Sequence, residues 1–447
     1  MKVDRERIES DLLRSVEHTS SRFYFALLGI IIVIAWGSYA YFTQVVYGLG
    51  VTGMQQPVTW GFYIVNFVFF IGISHAGTLI SAILRLSKAE WRRPITRMAE
   101  VITGIVLAIG GLHPIIDLGR PDRILHIFYN GRLQSPLLWD VTAITAYFAA
   151  STVYLYIPMI PDIARIRDRG VRPRWLYRLL SWGWVGTAEQ KRVLEKAINI
   201  LMIMVIPIAV SVHTVISFIF AMTLQPGWHS TIFGPYFVVG AIYSGIAALF
   251  LVMIVFRRVY HLENYLKEIH LQQLSRLLLI MAIIWFYFTF AEYLTGVYGA
   301  EPTEMKILLY KFTGRYAIPF WLMIFVNFLL PVVVLSTKRL CTTTGICVVS
   351  IGVTLGMWLE RLNIVVPTLE NPALSFPPHF YIPSWVEWGM FAWGVGVFCL
   401  GFALFAKFFP LISIWEIEEG MEESREEVDE RMLSYQPEIG DAAVAPR

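Results

Sequence analysis

Charge is what this chain has least of. Only 15% of its 447 residues are Asp, Glu, Lys or Arg, against about 25% in a soluble protein. The few charges cluster between long apolar runs, and 56% of the chain is hydrophobic. That balance excludes a soluble enzyme, a nucleic-acid-binding domain and a disordered protein. A net charge of +3 is too small to imply a polyanionic partner. Cysteine is nearly absent as well: Cys341, Cys347 and Cys399, with no CxxC spacing. An iron–sulfur cluster needs about four thiolates, so none is expected in this chain, and a disulfide framework is equally excluded. Intramembrane histidines are few (His75, His113 and His213), and no apolar segment carries two of them. Pro114 and Pro121 break any helix joining His113 to His126. Bound haem, which needs paired axial ligands at matched depth, is therefore not expected. There is no GxxxxGK[ST] phosphate loop, no HExxH motif and no metal-ligand set.

What is present is a series of ten apolar segments long enough to cross about 30 Å of hydrocarbon. They are read at 23–47, 60–84, 97–116, 136–160, 197–224, 235–257, 276–299, 316–336, 341–363 and 386–410. The expected fold is an all-α integral membrane protein. Residues 1–22 mix Arg, Glu and Asp, read as an amphipathic cytoplasmic segment and not as a signal peptide. Residues 411–447 read as an acidic, solvated cytoplasmic tail. Of the 36 Lys and Arg, 29 fall on the side that carries both termini. The positive-inside rule then makes both termini cytoplasmic. A weak internal repeat supports a finer division. Gly72-Ile73-Ser74-His75-Ala76-Gly77 in the second helix and Gly240-Ala241-Ile242-Tyr243-Ser244-Gly245 in the sixth share a glycine interval. Helices two to five (about 60–224) and six to nine (about 235–363) would form two parallel four-helix bundles, flanked by helices one and ten.

Ionisable groups at membrane depth need a partner, a wet cavity or a function. Near the outer side stand His113 and Asp117, spaced i, i+4 and so on one face if the helix survives Pro114. Asp140, Glu292 and the Glu360–Arg361 pair lie at similar depth, with His213 closer to the middle. On the inner side are His75, which has small neighbours, and Glu100, expected to meet Arg97 or another inner-loop base. The outer loops carry Arg120 and Arg123, then Trp228 and His229, then a stretch from Asn371 to Trp385 rich in proline and aromatics. Such loops suit a docking surface for a peripheral subunit. Aromatic-lined pockets beside carboxylates and imidazoles suit a quinone. The ring and tail want apolar walls, and the two oxygens want groups that exchange protons. The chain carries no electron carrier of its own, so the electrons would leave to a docked partner.

Several ordered motifs then resemble one family. Trp60 to Leu86, with Gly72-Ile73-Ser74-His75-Ala76-Gly77-Thr78-Leu79-Ile80-Ser81, is similar to the NrfD/PsrC family of polysulfide-reductase-type membrane subunits. So is Asp117-Leu118-Gly119-Arg120-Pro121. Ser135-Pro136-Leu137-Leu138-Trp139-Asp140 and the run from Pro226 to Phe237 resemble the branch found in alternative complex III. The resemblance covers about 45–365. It implies two four-helix bundles and a subunit that exchanges electrons between membrane quinol, as menaquinone or ubiquinone, and an extracytoplasmic ferredoxin-like iron–sulfur subunit. It also implies a bacterial inner-membrane location. Molybdopterin-type or multihaem cytochrome subunits and a second membrane subunit of the same family would be further partners. In that branch the quinol-binding chain uses a histidine matching His75 and an arginine matching Arg361, with an acid about where Ile219 stands here. The apolar Ile219 leaves two roles open: a quinone-reactive subunit, or a proton-conducting or structural anchor without its own quinone. A secondary transporter, from another class, would need matching broken helices in both halves, and Pro207 has only loose counterparts in Pro319 and Pro331.

Overall fold

Backbone groups in hydrocarbon must be satisfied within their own segment, so each apolar run has to become a helix. The computed structural model describes residues 5–377 and 379–435. The ten spanning helices are α1 (Ser21–Tyr47), α2 (Phe62–Leu86), α3 (Thr96–Asp117), α4 (Pro136–Asp168), α5 (Ala188–Ala221), α6 (Phe233–Val259), α7 (Glu268–Gly299), α8 (Ala317–Ser336), α9 (Thr343–Leu369) and α10 (Trp385–Phe408). Among the described residues no strand is present beyond an isolated bridge between Gln55 and Val58. Each helix falls on its expected segment. At the end of α4 and the starts of α5 and α7, polar residues continue the helix past the apolar run, and α9 runs on through Ile364 to Leu369. The expected break in α3 at Pro114 does not occur, and the helix runs on to Asp117.

Helices α2, α3, α4 and α5 pack in a closed ring, and α6, α7, α8 and α9 form a second. The two bundles meet along α2 against α6 and α9, with α5 also touching α6. Helix α2 is apolar on all sides because it is surrounded on all sides. Its approach to α3 depends on Gly77, where an added Cβ would lie 1.7 Å from the Ala99 carbonyl oxygen. Helix α1 is mostly exposed and packs on α10 through Gly37 and Gly389, a small-residue crossing. The first half of α8 runs into a π-helical turn at Phe325–Leu329, just before Pro331, which has no N–H to donate. The Tyr243 hydroxyl donates to the Asn327 carbonyl at that turn, 2.7 Å.

The acidic C-terminal segment departs from its expected solvation. Ile414–Tyr435 is a helix, and its first turns are folded against the bundle. Asp162 of α4 accepts the Ile414 and Trp415 N–H groups at 3.0 and 3.2 Å, so a carboxylate from another helix caps this one. Asp162 also pairs with Arg97 at 2.6 Å, both fully buried. Glu416 bridges Arg85 (2.8 Å) and Arg92 (3.0 Å), and Glu418 pairs with Arg165 at 2.8 Å. The reason is charge: the basic loops of this face need carboxylates, and the tail supplies them. Residues 436–447 of the expected tail lie outside the described residues. At the other terminus, the helix Arg5–Glu17 buries Ile8, Leu12 and Leu13 on one face, in keeping with its amphipathic reading.

Burial opposes ionisation of Glu416, but the Arg85 and Arg92 guanidiniums outweigh it and hold the carboxyl below the usual glutamate range. Its stabilisation is therefore whole above about pH 4.5 and is lost as pH falls through the lowered folded value. Glu416→Gln strands two buried arginines, and breaking a buried pair in this way costs about 3–5 kcal/mol. Thermal unfolding of the detergent-solubilised protein should show a lower Tm for Glu416→Gln at pH 7 and a smaller further loss on acidification than in the parent. Identical acid profiles would remove the latch.

Candidate functional site

The polar interior gathers where the bundles meet. Arg361 and Glu360 lie inside α9 and not at its end, because that helix continues to Leu369. Both are almost completely buried, and Arg361 Nη1 reaches Glu360 Oε2 at 2.5 Å. The Trp285 indole N–H donates to the other carboxylate oxygen at 2.6 Å. The guanidinium lies over the Phe237 ring, 5.0 Å from its centroid. It fits because α2 and α6 present glycines to it. A Cβ on Gly240 would stand 3.0 Å from Nη2, and one on Gly72 would stand 3.9 Å away. Gly240, which opens the second copy of the internal repeat, thus makes room for the arginine, and at Gly72 the fit is an ordinary contact. Arg361 does not snorkel.

His75 and His213 face each other beside this pair, ring centroids 3.8 Å apart. His75 Nε2 lies 2.7 Å from the Ala209 carbonyl oxygen, which only accepts, so Nε2 carries the proton. Its Nδ1 is 3.4 Å from Ser74 Oγ. His213 is fully buried, and among the described residues neither ring nitrogen has a hydrogen-bond partner. An unsatisfied buried polar atom costs about 1–3 kcal/mol. Above the histidines toward the loop face, away from the termini, Trp60 stacks on Trp228 at 6.1 Å and Phe220 meets Trp228 edge-on at 5.0 Å. Toward the termini, Ser81 donates to Glu100 at 2.7 Å and lies 3.4 Å from the Tyr154 hydroxyl. Glu100 does not pair with Arg97, which is taken by Asp162.

The other expected residues are placed apart. His113 is buried against Phe70, its Nδ1 2.9 Å from the Ile109 carbonyl and its Nε2 unpartnered. Asp117 and Asp140 each have one buried oxygen without a partner. Among the described residues no hydrogen bond or ion pair joins His113, Asp117 and Asp140 to one another. Arg120 pairs with its exposed neighbour Asp122, and Arg123 is exposed. Trp228, expected on a docking surface, is instead buried, its indole N–H donating to the Ile364 carbonyl at 2.8 Å. His229 beside it is exposed.

A cavity of about 300 Å³ opens in the second bundle. It lies between the C-terminal end of α7, the helix Pro302–Phe312 and the turn at Gly227–Thr231. Glu292 lines it, hydrogen-bonded to the Ser230 hydroxyl, as do Tyr236, Tyr293 and Lys311. Tyr236 also interacts electrostatically with Glu360, so one phenol lies near both the cavity and the buried ion pair. Sequence reasoning passed over Tyr236 and Lys311. Lys311 had a signal, a lone base inside the run Ile307-Leu308-Leu309-Tyr310-Lys311-Phe312. Tyr236 had none, since an interfacial tyrosine is ordinary.

These features define a class: a multi-pass helical membrane protein with ionisable groups buried at the meeting of two bundles. The family model described as polysulphide reductase, NrfD, matches residues 50–373. The chain belongs to the NrfD polysulphide reductase family. A protein of Halobacterium salinarum, provisionally named as a membrane subunit of dimethyl sulfoxide reductase, is 28% identical over 80% of each chain. A selenate reductase subunit of Mesobacillus selenatarsenatis is 25% identical over 88% of this chain and 95% of its own. An Hdr-like menaquinol oxidoreductase integral membrane subunit of Archaeoglobus fulgidus is 23% identical over 95% of this chain and 100% of its own.

Arg361→Met leaves Glu360 as an unpaired buried charge and should destabilise the protein by about 3–5 kcal/mol. The double change Glu360→Gln with Arg361→Met removes both charges and should recover most of that loss. A double variant that melts as low as the single one would show that the pair acts through something other than charge.

Proposed function

We propose that this chain is the quinone-reactive membrane subunit of a respiratory oxidoreductase complex, with the His75–His213 pair as its proton-handling station. The observation that carries the reading is the contact between two buried imidazoles, one with both nitrogens unpartnered, beside Arg361. A quinol that gives up two electrons also gives up two protons. Neutral imidazole at that depth accepts a proton, and Glu360 balances the standing charge of Arg361. The relative named as an Hdr-like menaquinol oxidoreductase integral membrane subunit supports the substrate class.

The electrons leave to an iron–sulfur partner on the loop face. The arm at 118–135 suits it, with Arg120 and Arg123 among exposed Leu125, Phe128, Tyr129 and Leu133. Molybdopterin-type or multihaem subunits and a second membrane subunit would complete the complex. The charge asymmetry supports placing both termini in the cytoplasm and the chain in a bacterial inner membrane. Glu100, Ser81 and Tyr154 lie between the histidines and the termini face, and suit proton supply from that side. The rival role, a proton-conducting or structural anchor without its own quinone, draws on the apolar Ile219.

Removing a positioned acid–base group costs about 10²–10⁴-fold in rate. His213→Phe and His75→Phe should each lower quinol turnover of the assembled complex by at least about a hundredfold, with subunit composition unchanged. Full turnover in both variants would sink the proton station. The same assay on His113→Leu and Asp140→Asn ranks the loop-face groups, and unchanged rates there would remove them from the mechanism.

A further inference from the structure

One stretch at the termini face carries charge that the rest of the fold does not balance. Between α4 and α5, residues 170–192 hold Arg172, Arg174, Arg178, Lys191 and Arg192 against a single acid, Glu189. All five bases are exposed, and among the described residues none has a carboxylate within 4.0 Å. The acidic helix that neutralises Arg85, Arg92 and Arg165 makes no ion pair with them there. The same stretch shows apolar side chains: Trp175, Leu179, Trp182 and Val185 are 68–79% exposed. Its short helix, Arg174–Leu180, stays at the membrane. The Tyr177 hydroxyl donates to the carbonyl of Phe408, the last residue of α10, at 3.1 Å. The Tyr156 hydroxyl of α4 donates to the Leu180 carbonyl at 2.7 Å. Tyr156 and Phe408 belong to apolar runs, so this helix folds back level with the ends of two spans. Arg174 and Arg178, spaced i, i+4, share one face, and Trp175 and Leu179 share the next. Trp182 holds φ +45°, a left-handed backbone that a bulky residue rarely adopts. The turn behind it is clamped, with Gln190 Oε1 accepting from the Val185 and Gly186 N–H groups at 3.0 and 2.9 Å. The fold thus presents this indole outward.

We propose that this segment binds an anionic phospholipid of the leaflet on the termini side, with Arg174 and Arg178 holding the headgroup phosphate and Trp175, Leu179 and Trp182 lying against the acyl chains. Guanidinium groups match phosphate oxygens in charge and geometry. Indoles settle where headgroups meet hydrocarbon. A helix with a basic stripe beside an apolar one lies in that plane. A neutral lipid would cover the indoles and leave five cations uncompensated. Arg172, Lys191 and Arg192 add attraction to an anionic surface without needing a fixed partner. A lipid is favoured over a protein subunit because the helix is level with the ends of the spans, where lipid is the solvent. The bound lipid would brace the connection between α4 and α5. This inference is independent of the quinone reading.

The test uses the full chain, purified in mild detergent with the subunits that accompany it, and phosphatidylglycerol bearing a photoreactive group on an acyl chain. Label is expected on peptides within 172–192, competed by unlabelled phosphatidylglycerol and not by phosphatidylcholine with the same chains. The double change Arg174→Gln with Arg178→Gln should cut the competed label at least about tenfold, since each base near an anionic surface is worth about a factor of five. Arg174→Lys with Arg178→Lys keeps the charge and should keep most of the label. Salt at about 1 M, where screening acts over about 3 Å, should also cut it. Equal competition by phosphatidylcholine, or undiminished label in the glutamine variant, would overturn the proposal. No label on 172–192 would overturn it too, and label that appears there only after the accompanying subunits are stripped away would assign this face to a protein partner instead.

Discussion

One buried ion pair organises the interior. Arg361 and Glu360 sit where the two bundles meet, at a depth where an unpaired charge is expensive. Holding them there draws on the close approach of Gly240 in α6, an indole donor from α7 and an aromatic face from α6. Those demands tie α2, α6, α7 and α9 to one geometry. The histidine pair takes its place beside the guanidinium, so two imidazoles and a permanent positive charge share the seam.

A second set of charges closes the termini face. Arg85, Arg92, Arg97 and Arg165 would leave that end strongly basic, and Asp162, Glu416 and Glu418 neutralise it, two of them from a helix folded back from the C-terminus. Structural electrostatics are thus concentrated at one face. At the other, Glu370 and Glu387 accept from tyrosine hydroxyls and backbone N–H groups, whereas Asp117 and Asp140 each keep an oxygen without a partner among the described residues, and Lys311 faces a cavity. Saturated pairing suits an anchor, and unsatisfied groups suit a face where ligands and partners arrive.

Some of the site was legible in the sequence and some was not. His75, His213 and Arg361 stood out because charged and imidazole groups in apolar runs are rare. Their mutual contact was not legible, since three helices from two bundles bring them together and no spacing rule links them. Asp117 and His113 share a face as their spacing implied, yet they make no bond, because His113 turns its Nδ1 to the backbone of its own helix. The tail misled for the opposite reason. An acidic stretch looks solvated until the basic surface that it covers is known.

Length, hydropathy and the distribution of Lys and Arg determined ten helices and their alternation, because water and hydrocarbon impose those on any chain of this composition. Which glycine faces which arginine, which carboxylate meets the tail and where a cavity is left open were decided only by tertiary packing. In hydrocarbon the helices gain little from burying apolar surface against each other, so a few polar contacts and close approaches select the arrangement. Those contacts depend on distances between residues far apart in the chain, which no local pattern records.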